Sequence, residues 1–201
     1  KTPLPWLQGR VFAAAAARYR EFVAVVEQRF PELMPQLICN GGGSLSFQMH
    51  KRGGVTNEVA VGSLFLKPGD FHGAARRAFA PCAFLVTPVL KRIAGLHLPF
   101  IGFFNRLWQR LDAARAQTFF IYGGYWKAKP YFPIGLTPNP IYGHSSNQEM
   151  LNGGSHIQLA VDDFVFFLPD QSEAVLVEHG DLLIARGRKI IGRWSVLRDD
   201  G

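Results

Sequence analysis

The chain has 201 residues, 48% of them apolar and 18% charged, and its 22 Lys and Arg against 15 Asp and Glu give a net charge of +7. This length and apolar content are enough to bury a core, which excludes a disordered segment. The basic residues are spread along the sequence without a zinc-finger spacing or an RNA-binding aromatic motif, so we do not expect nucleic acid as a partner. No run of about 18 apolar residues is present to span a bilayer.

The two cysteines, Cys39 and Cys82, are too few for a disulfide framework and have no metal-type spacing. The first ten residues lack the order of charged, apolar and small residues that marks a signal peptide. We therefore expect a cytoplasmic protein. The chain begins with Lys1 rather than Met, which predicts a fragment or a processed chain.

A helix is predicted over residues 11–30, where apolar side chains recur at helical spacing until Pro31 ends the pattern. Two short apolar runs follow, residues 37–39 and 58–61, the first stopped by Asn40 and three glycines and the second by Gly62 and Ser63. Both runs are typical of buried strands that end in tight loops. Helix, strand, glycine loop and strand within about 60 residues indicate a parallel α/β barrel or a doubly wound sheet.

From Ala80 onward the pattern changes to short β-rich runs separated by Gly, Pro, Asn and Asp. The predicted strands lie in AFLVTPVL, TFFIYGG, SHIQLAV, DFVFFLP, DLLIARG and KIIGRWSVL. We therefore predict an α/β part over residues 1–80 and a β domain over residues 81–201. Residues 93–116 interrupt the β domain with large apolar groups and arginines. A helical insertion packed on its own domain is favoured there, and a lid, a dimer contact or a membrane-surface helix is the alternative.

Three consecutive glycines after a predicted strand are the main functional signal. Without side chains, several backbone N–H groups can approach one anion, and parallel barrels hold phosphate in the loops after their last two strands. The glycines lack the Lys-Ser or Lys-Thr of a Walker motif and the spacing of a dinucleotide-binding motif, and a plain tight turn is the alternative. The candidate phosphate-binding residues of the two loops are Gly41, Gly42, Gly43, Ser44, Gly62 and Ser63.

Three segments, ICNGGGSLSF, NEVAVGSLFLKPGDF and APCAFLVTPVL, together resemble the D-threonine aldolase and D-serine dehydratase family. That family has a barrel similar to alanine racemase, which binds pyridoxal phosphate (PLP). Its Gly-Gly-Gly-Thr loop matches the glycine run, with Ser44 in place of the threonine, and its following strand matches Glu58, Gly62, Ser63 and Leu64. FFIYGGYWKA and SSNQEML match the family more loosely.

The resemblance covers nearly the whole chain except residues 93–116. It implies an α/β plus β fold, in which residues 1–80 are the last strands of an alanine racemase-like TIM barrel and residues 81–201 a D-serine dehydratase-like β domain. It also implies PLP as cofactor, an amino acid as substrate, a homodimer, and an N-terminal barrel segment that this chain does not contain.

Two features depart from the family pattern. The family lysine that binds PLP covalently lies near the first barrel strand, so the catalytic lysine is not in this chain and the segment alone is expected to be inactive. The lysines that match none of the expected positions are Lys51, Lys67, Lys91, Lys127, Lys129 and Lys189.

The second departure concerns the metal. The family pattern Pro-x-His-x-Cys or Pro-x-His-x-Asp is replaced by residues 169–173, in which Gln171 stands for the histidine and Glu173 for the last ligand. An amide oxygen and a carboxylate suit Mg²⁺ or Mn²⁺ better than Zn²⁺. We expect a weak site at most, and loss of the metal is favoured over its retention.

The six histidines show no HExxH or closely paired ligand spacing, so hydrogen-bonding or surface roles are expected for them. His144 is the exception, because Tyr142, Ser145, Asn147 and Glu149 form a polar cluster around it in sequence. Residues 162–163 and 178–181 are predicted to be turns. Cys39 is predicted to be a buried strand residue rather than a nucleophile.

These patterns predict part of a PLP-dependent enzyme that acts on D-amino acids or β-hydroxy amino acids by aldol cleavage, dehydration or racemisation. The altered metal ligands disfavour dehydration, which requires a Lewis acid. The alternatives are a non-catalytic PLP-binding or regulatory module of the same fold, and a docking role for the apolar insertion.

Overall fold

The computed structural model describes residues 5–50, 54–69, 79–94 and 116–196. The chain divides into two compact units. Unit 1 comprises Lys1–Phe65 and Phe71–Ala80, and unit 2 comprises Leu66–Asp70 and Pro81–Gly201. Among the described helices, none has the length and apolar content needed to cross a membrane.

Within its described residues, unit 1 contains one long helix, two short strands and three short 3₁₀ helices. In chain order these are α1 (Pro5–Arg29), a 3₁₀ helix (Pro31–Gln36), β1 (Asn40–Gly42), a 3₁₀ helix (Phe47–Met49), β2 (Glu58–Ala60) and a 3₁₀ helix (Ser63–Phe65). The two strands pair in parallel, with Gly41 opposite Val59.

The predicted first helix is confirmed, although it begins six residues earlier than expected. The alanine-rich stretch of residues 13–17 has high helix propensity. The helix ends before Pro31, since a proline disfavours helical backbone at the residue that precedes it, and Phe30 has φ −142° and ψ 59°. Much of the predicted apolar face is exposed, and Phe22 is 73% accessible.

The predicted strand at residues 37–39 is wrong, because β1 begins at Asn40. The ladder to β2 runs through Asn40, Gly41 and Gly42, while Ile38 is 67% exposed. The position of β1 is determined by its backbone hydrogen bonds to β2, and the apolar run at residues 37–39 does not indicate where those bonds form. Cys39 is buried as predicted but lies outside the strand. The second strand is confirmed at Glu58–Ala60, whereas its predicted burial is wrong, since all three residues are exposed.

Unit 2 is built on a six-stranded antiparallel sheet with the order β5-β8-β3-β4-β7-β6. A second sheet is a two-stranded antiparallel hairpin of β9 and β10, and a helix, α2, precedes it. The elements are β3 (Leu85–Ala94), β4 (Gln117–Ile121), β5 (Ala128–Phe132), β6 (Thr137–Pro138), β7 (Met150–Gly153), β8 (Phe164–Pro169), α2 (Ser172–His179), β9 (Leu182–Arg186) and β10 (Lys189–Trp194).

The core of unit 2 forms around the two central strands. In β3, alternate residues Leu85, Thr87 and Val89 point inward. Strand β4 is buried at four of its five positions, because it lies between β3 and β7. The buried apolar cluster is Leu85, Val89, Phe119, Ile121, Leu136, Leu151, Ile157, Leu159, Val165, Phe167 and Val175.

Five of the six β-rich runs predicted after Ala80 are confirmed as strands β3, β4, β8, β9 and β10. The run SHIQLAV is not a strand, although Ile157 and Leu159 within it are buried in the core. Strands β5, β6 and β7 and helix α2 were not predicted. The predicted turn at residues 162–163 is confirmed, since Asp162 has φ 72° and Asp163 accepts a hydrogen bond from the Ala160 N–H at 2.7 Å.

The predicted turn at residues 178–181 is wrong at its start, because Glu178 and His179 form the end of α2. The helix stops at Gly180, whose φ of 76° is unfavourable for other residues. Within the predicted insertion, Ile93 and Ala94 belong to β3, and residues 95–115 lie outside the described part of the chain.

Replacing Phe119 with Ala is expected to destabilise unit 2 by about 3–5 kcal/mol, because its side chain is fully buried in the apolar cluster. Urea unfolding of the full chain followed by near-UV circular dichroism measures this change. The matched control is Phe164→Ala in β8, where the side chain is 55% exposed, and there the loss is expected to stay within about 1 kcal/mol. Equal losses in the two variants would contradict the assigned core.

Candidate functional site

In unit 1 the parallel pairing of β1 and β2 places the ends of both strands at one edge. Gly43 and Ser44 follow β1, and Gly62 and Ser63 follow β2 after one intervening residue. The two loops are in contact, because the Leu64 backbone N–H donates to Ser44 Oγ at 3.2 Å. The structure therefore brings together the two loops that carry the predicted phosphate-binding residues.

The backbone of the first loop has a conformation that requires glycine. Gly42 has φ 104° and Gly43 has φ 132°, both in a region that residues with a Cβ rarely adopt. A Cβ on Gly42 would also lie 2.7 Å from Val59 Cγ1 of the neighbouring strand. Gly42 and Gly43 thus allow the turn, and Gly42 also allows the close contact with β2. Neither residue has a side chain that would cover the backbone N–H groups.

Backbone donors remain available at this edge, and two of them lie in the predicted phosphate-binding residues. Within the described residues, the N–H groups of Ser44 and Gly62 donate no hydrogen bond to the chain. A Cβ placed on Gly62 would meet nothing within 4 Å, so the space in front of this glycine is open. Backbone N–H groups without a partner in the chain, in loops poor in side chains, are suited to binding anions.

Polar contacts hold β1 and the residues that lead into it. The Asn57 side chain accepts from the Cys39 N–H at 2.8 Å and donates to the Leu37 carbonyl at 2.8 Å. The Tyr19 hydroxyl of α1 donates to the Asn40 carbonyl at 3.1 Å. Desolvation, followed by the nearby Cys39, raises the pKa of the Tyr19 phenol, which keeps this donor protonated.

His50 lies against the glycine strand, a contact that the sequence did not reveal. Its Nδ1 is 3.0 Å from Thr56 Oγ1, and its ring makes an edge-to-face contact with Phe12 at 4.9 Å. A Cβ on Gly41 would come within 2.9 Å of His50 Cε1 and 2.7 Å of Thr56 Cγ2. Gly41 is therefore needed for close packing rather than for an unusual φ.

The predicted metal ligands lie in unit 2, at the start of α2. Gln171 precedes the helix, Glu173 lies in its first turn, and both are exposed. Ser172 Oγ is 3.5 Å from Glu173 Oε2, and Asp170 pairs with Lys129 at 3.0 Å. Across residues 5–50, 54–69, 79–94 and 116–196, no group of three or more His, Cys, Asp or Glu is arranged to hold a metal ion.

The polar cluster predicted around His144 is partly assembled. His144 Nδ1 is 2.9 Å from Glu149 Oε1, and the second carboxylate oxygen, Oε2, accepts from the Tyr125 backbone N–H at 2.6 Å. Glu149 is buried, while half of the His144 side chain is exposed. Ser145 accepts hydrogen bonds from its own loop, at the Asn147 and Gln148 N–H groups, rather than joining the pair.

Comparison with known proteins gives a likeness at the level of fold. The crystal structure of a D-threonine aldolase from Filomicrobium marinum is similar over 90% of this chain, with a TM-score of 0.55 and 16% sequence identity. The chain spans 47% of the length of that aldolase chain, which is about half. No protein-family model and no curated protein sequence matches. The fold is therefore one that D-threonine aldolase shares.

Substituting Ala for Gly41 is expected to loosen the strand pair, because the new methyl group would overlap His50 and Thr56 and cost about 1–3 kcal/mol. Hydrogen exchange followed by mass spectrometry should show amide exchange in residues 37–65 accelerated by roughly tenfold. Gly62→Ala is the control, since its Cβ meets nothing within 4 Å. Comparable acceleration in both variants would show that the close approach at Gly41 is not the cause.

Proposed function

We propose that the chain is part of a PLP-dependent enzyme acting on D-amino acids or β-hydroxy amino acids, and that unit 1 holds the cofactor's phosphate group. The supporting observation is the joined pair of glycine loops at the end of the parallel strands, where Ser44 Oγ bonds the Leu64 N–H. The fold shared with D-threonine aldolase supports the same proposal.

The described residues fit a phosphate group on chemical grounds. The unused N–H groups of Ser44 and Gly62 are suited to charge-assisted hydrogen bonds with phosphate oxygens. The Ser44 hydroxyl accepts from Leu64 and keeps its own proton as a further donor. Gly42 and Gly43 keep side chains away from the anion. We assign phosphate contacts to these loops, which contain Gly41, Gly42, Gly43, Ser44, Gly62 and Ser63.

When bound, PLP supplies an electron sink that stabilises negative charge on the substrate carbon. The role that we propose for this chain is to bind and orient the cofactor through its phosphate, which converts binding energy into positioning. The proposed assembly is a homodimer that includes the remaining barrel segment with the cofactor-binding lysine. In the aldolase-like reaction class, aldol cleavage, dehydration and racemisation all require this positioning.

A metal step is not part of the proposal. Gln171 and Glu173 provide two exposed oxygen ligands, and among the described residues no group of three or more His, Cys, Asp or Glu is arranged to hold a metal ion. Two exposed ligands leave most of the coordination sphere of Mg²⁺ or Mn²⁺ to water. These residues therefore do not fit a structural or catalytic metal by themselves.

The phosphate proposal is tested with pyridoxine phosphate and pyridoxine, which lack the aldehyde and do not react with surface lysines. Equilibrium dialysis of the full chain should show tighter binding of the phosphorylated compound by about tenfold or more, because each charge-assisted hydrogen bond contributes about 1.5–3 kcal/mol. Equal affinities for the two compounds would overturn the proposal.

Ser44→Asp should abolish that preference, because a carboxylate in the loop repels the phosphate while it still accepts the Leu64 N–H. The matched control is Ser195→Asp, which adds the same charge at an exposed position of unit 2. Loss of binding in both variants would indicate a non-specific effect of charge rather than a site at Ser44.

A further inference from the structure

The second candidate centre is the pair formed by His144 and Glu149 in unit 2. Glu149 is 3% exposed, and both of its carboxylate oxygens act as acceptors. A buried carboxylate is expensive to desolvate unless each oxygen has a donor. Tyr125 N–H supplies one donor, so the other oxygen takes its hydrogen bond from the His144 ring.

The backbone around Glu149 is shaped to hold this carboxylate. Gly123 N–H donates to the Asn147 carbonyl at 2.7 Å, and Glu149 N–H donates back to the Gly123 carbonyl at 2.9 Å. Gly124 has φ 144°, and a Cβ there would overlap Glu149 and Ser145. Tyr125 has φ 58°, an uncommon conformation for a residue with a side chain. The turn therefore holds Tyr125 in an uncommon backbone conformation, and in that conformation the Tyr125 N–H reaches the Glu149 carboxylate.

The carboxylate determines which nitrogen of neutral His144 carries the proton. A carboxylate accepts and does not donate, so Nδ1 must be the protonated nitrogen. Nε2 then has a free lone pair, and within the described residues no group bonds to it. The ring is half exposed and is flanked by Tyr125 at 5.5 Å between ring centres.

We propose that His144 and Glu149 form a proton-accepting site on unit 2, in which Glu149 is the positioning residue and Nε2 of His144 receives a ligand that carries an N–H or O–H proton. With a neutral imidazole the pair carries one negative charge, which favours a protonated amine over an anion. The site belongs to unit 2 alone and does not depend on phosphate binding in unit 1.

The first test is acylation with diethyl pyrocarbonate at mildly alkaline pH. The unprotonated nitrogen attacks one carbonyl carbon of the reagent, the C–O bond to ethyl carbonate breaks, and that group takes the ring proton and decays to ethanol and carbon dioxide. We expect Glu149→Gln to slow modification of His144 by roughly tenfold or more. The Gln amide would donate to Nδ1 and shift the ring proton to Nε2, the tautomer without an outward lone pair.

Glu178→Gln is the matched control, since this exposed glutamate lies in α2 and the same change should leave the His144 rate unaltered. Mass spectrometry reads each histidine separately, so the other histidines report on the reagent and on folding. An unchanged His144 rate in Glu149→Gln would overturn the proposal. A rise in the rates of all histidines, with a lower unfolding midpoint, would also overturn it, because Glu149 would then be structural only.

A second measurement reports the tautomer directly. Nitrogen-15 NMR of the histidine side chains should show His144 with a protonated Nδ1 and an unprotonated Nε2, and the reverse in Glu149→Gln. His144 with a protonated Nε2 in the unaltered protein would overturn the proposal. Titration with methylammonium as the probe should shift the Nε2 resonance of His144, whereas no shift at millimolar concentration would remove the amine preference.

Discussion

The parallel pairing of β1 with β2 determines which loops of unit 1 lie next to each other where the two strands end. Parallel strands end on the same side, so the residues after Gly42 and after Ala60 become neighbours although they are about 20 positions apart in sequence. The ladder is only three residues long, and it is reinforced by the Asn57 contacts and by the bond between Leu64 and Ser44. Those side-chain contacts, rather than strand propensity, stabilise a pairing that runs through Asn and Gly.

The sequence predicts the elements whose signal is local. Helix α1 follows from alanine-rich helical spacing and a terminal proline, and β3, β4 and β8 follow from apolar runs between turn residues. The strand Asn40–Gly42 is not predictable in this way, since glycine and asparagine disfavour strands and only the partner strand fixes them there. Strand β5 contains Lys129 and Pro130, and helix α2 has only eight residues, so neither has a clear periodic pattern.

The two candidate sites also differ in how far the sequence alone reveals them. A glycine run is visible in sequence because the lack of side chains is itself the signal, and the second loop follows at the spacing expected of one connecting unit. The burial of Glu149 is not visible, because His144 and Glu149 lie in a loop and become partners only when Gly123 bridges to Gln148. The sequence therefore predicted the pairing partner Glu149 as one of four polar neighbours of His144, but it did not show that Glu149 alone forms the pair.

The two proposed sites are suited to their ligands by opposite physical means. At the glycine loops the protein removes side chains and offers backbone dipoles, which attract a phosphate without placing a full positive charge there. At His144 the protein buries a full negative charge and uses it to orient a neutral ring, which favours proton donors and disfavours anions. If both proposals hold, each arrangement disfavours the ligand of the other, because the charge at the glycine loops attracts an anion and the charge at Glu149 repels one.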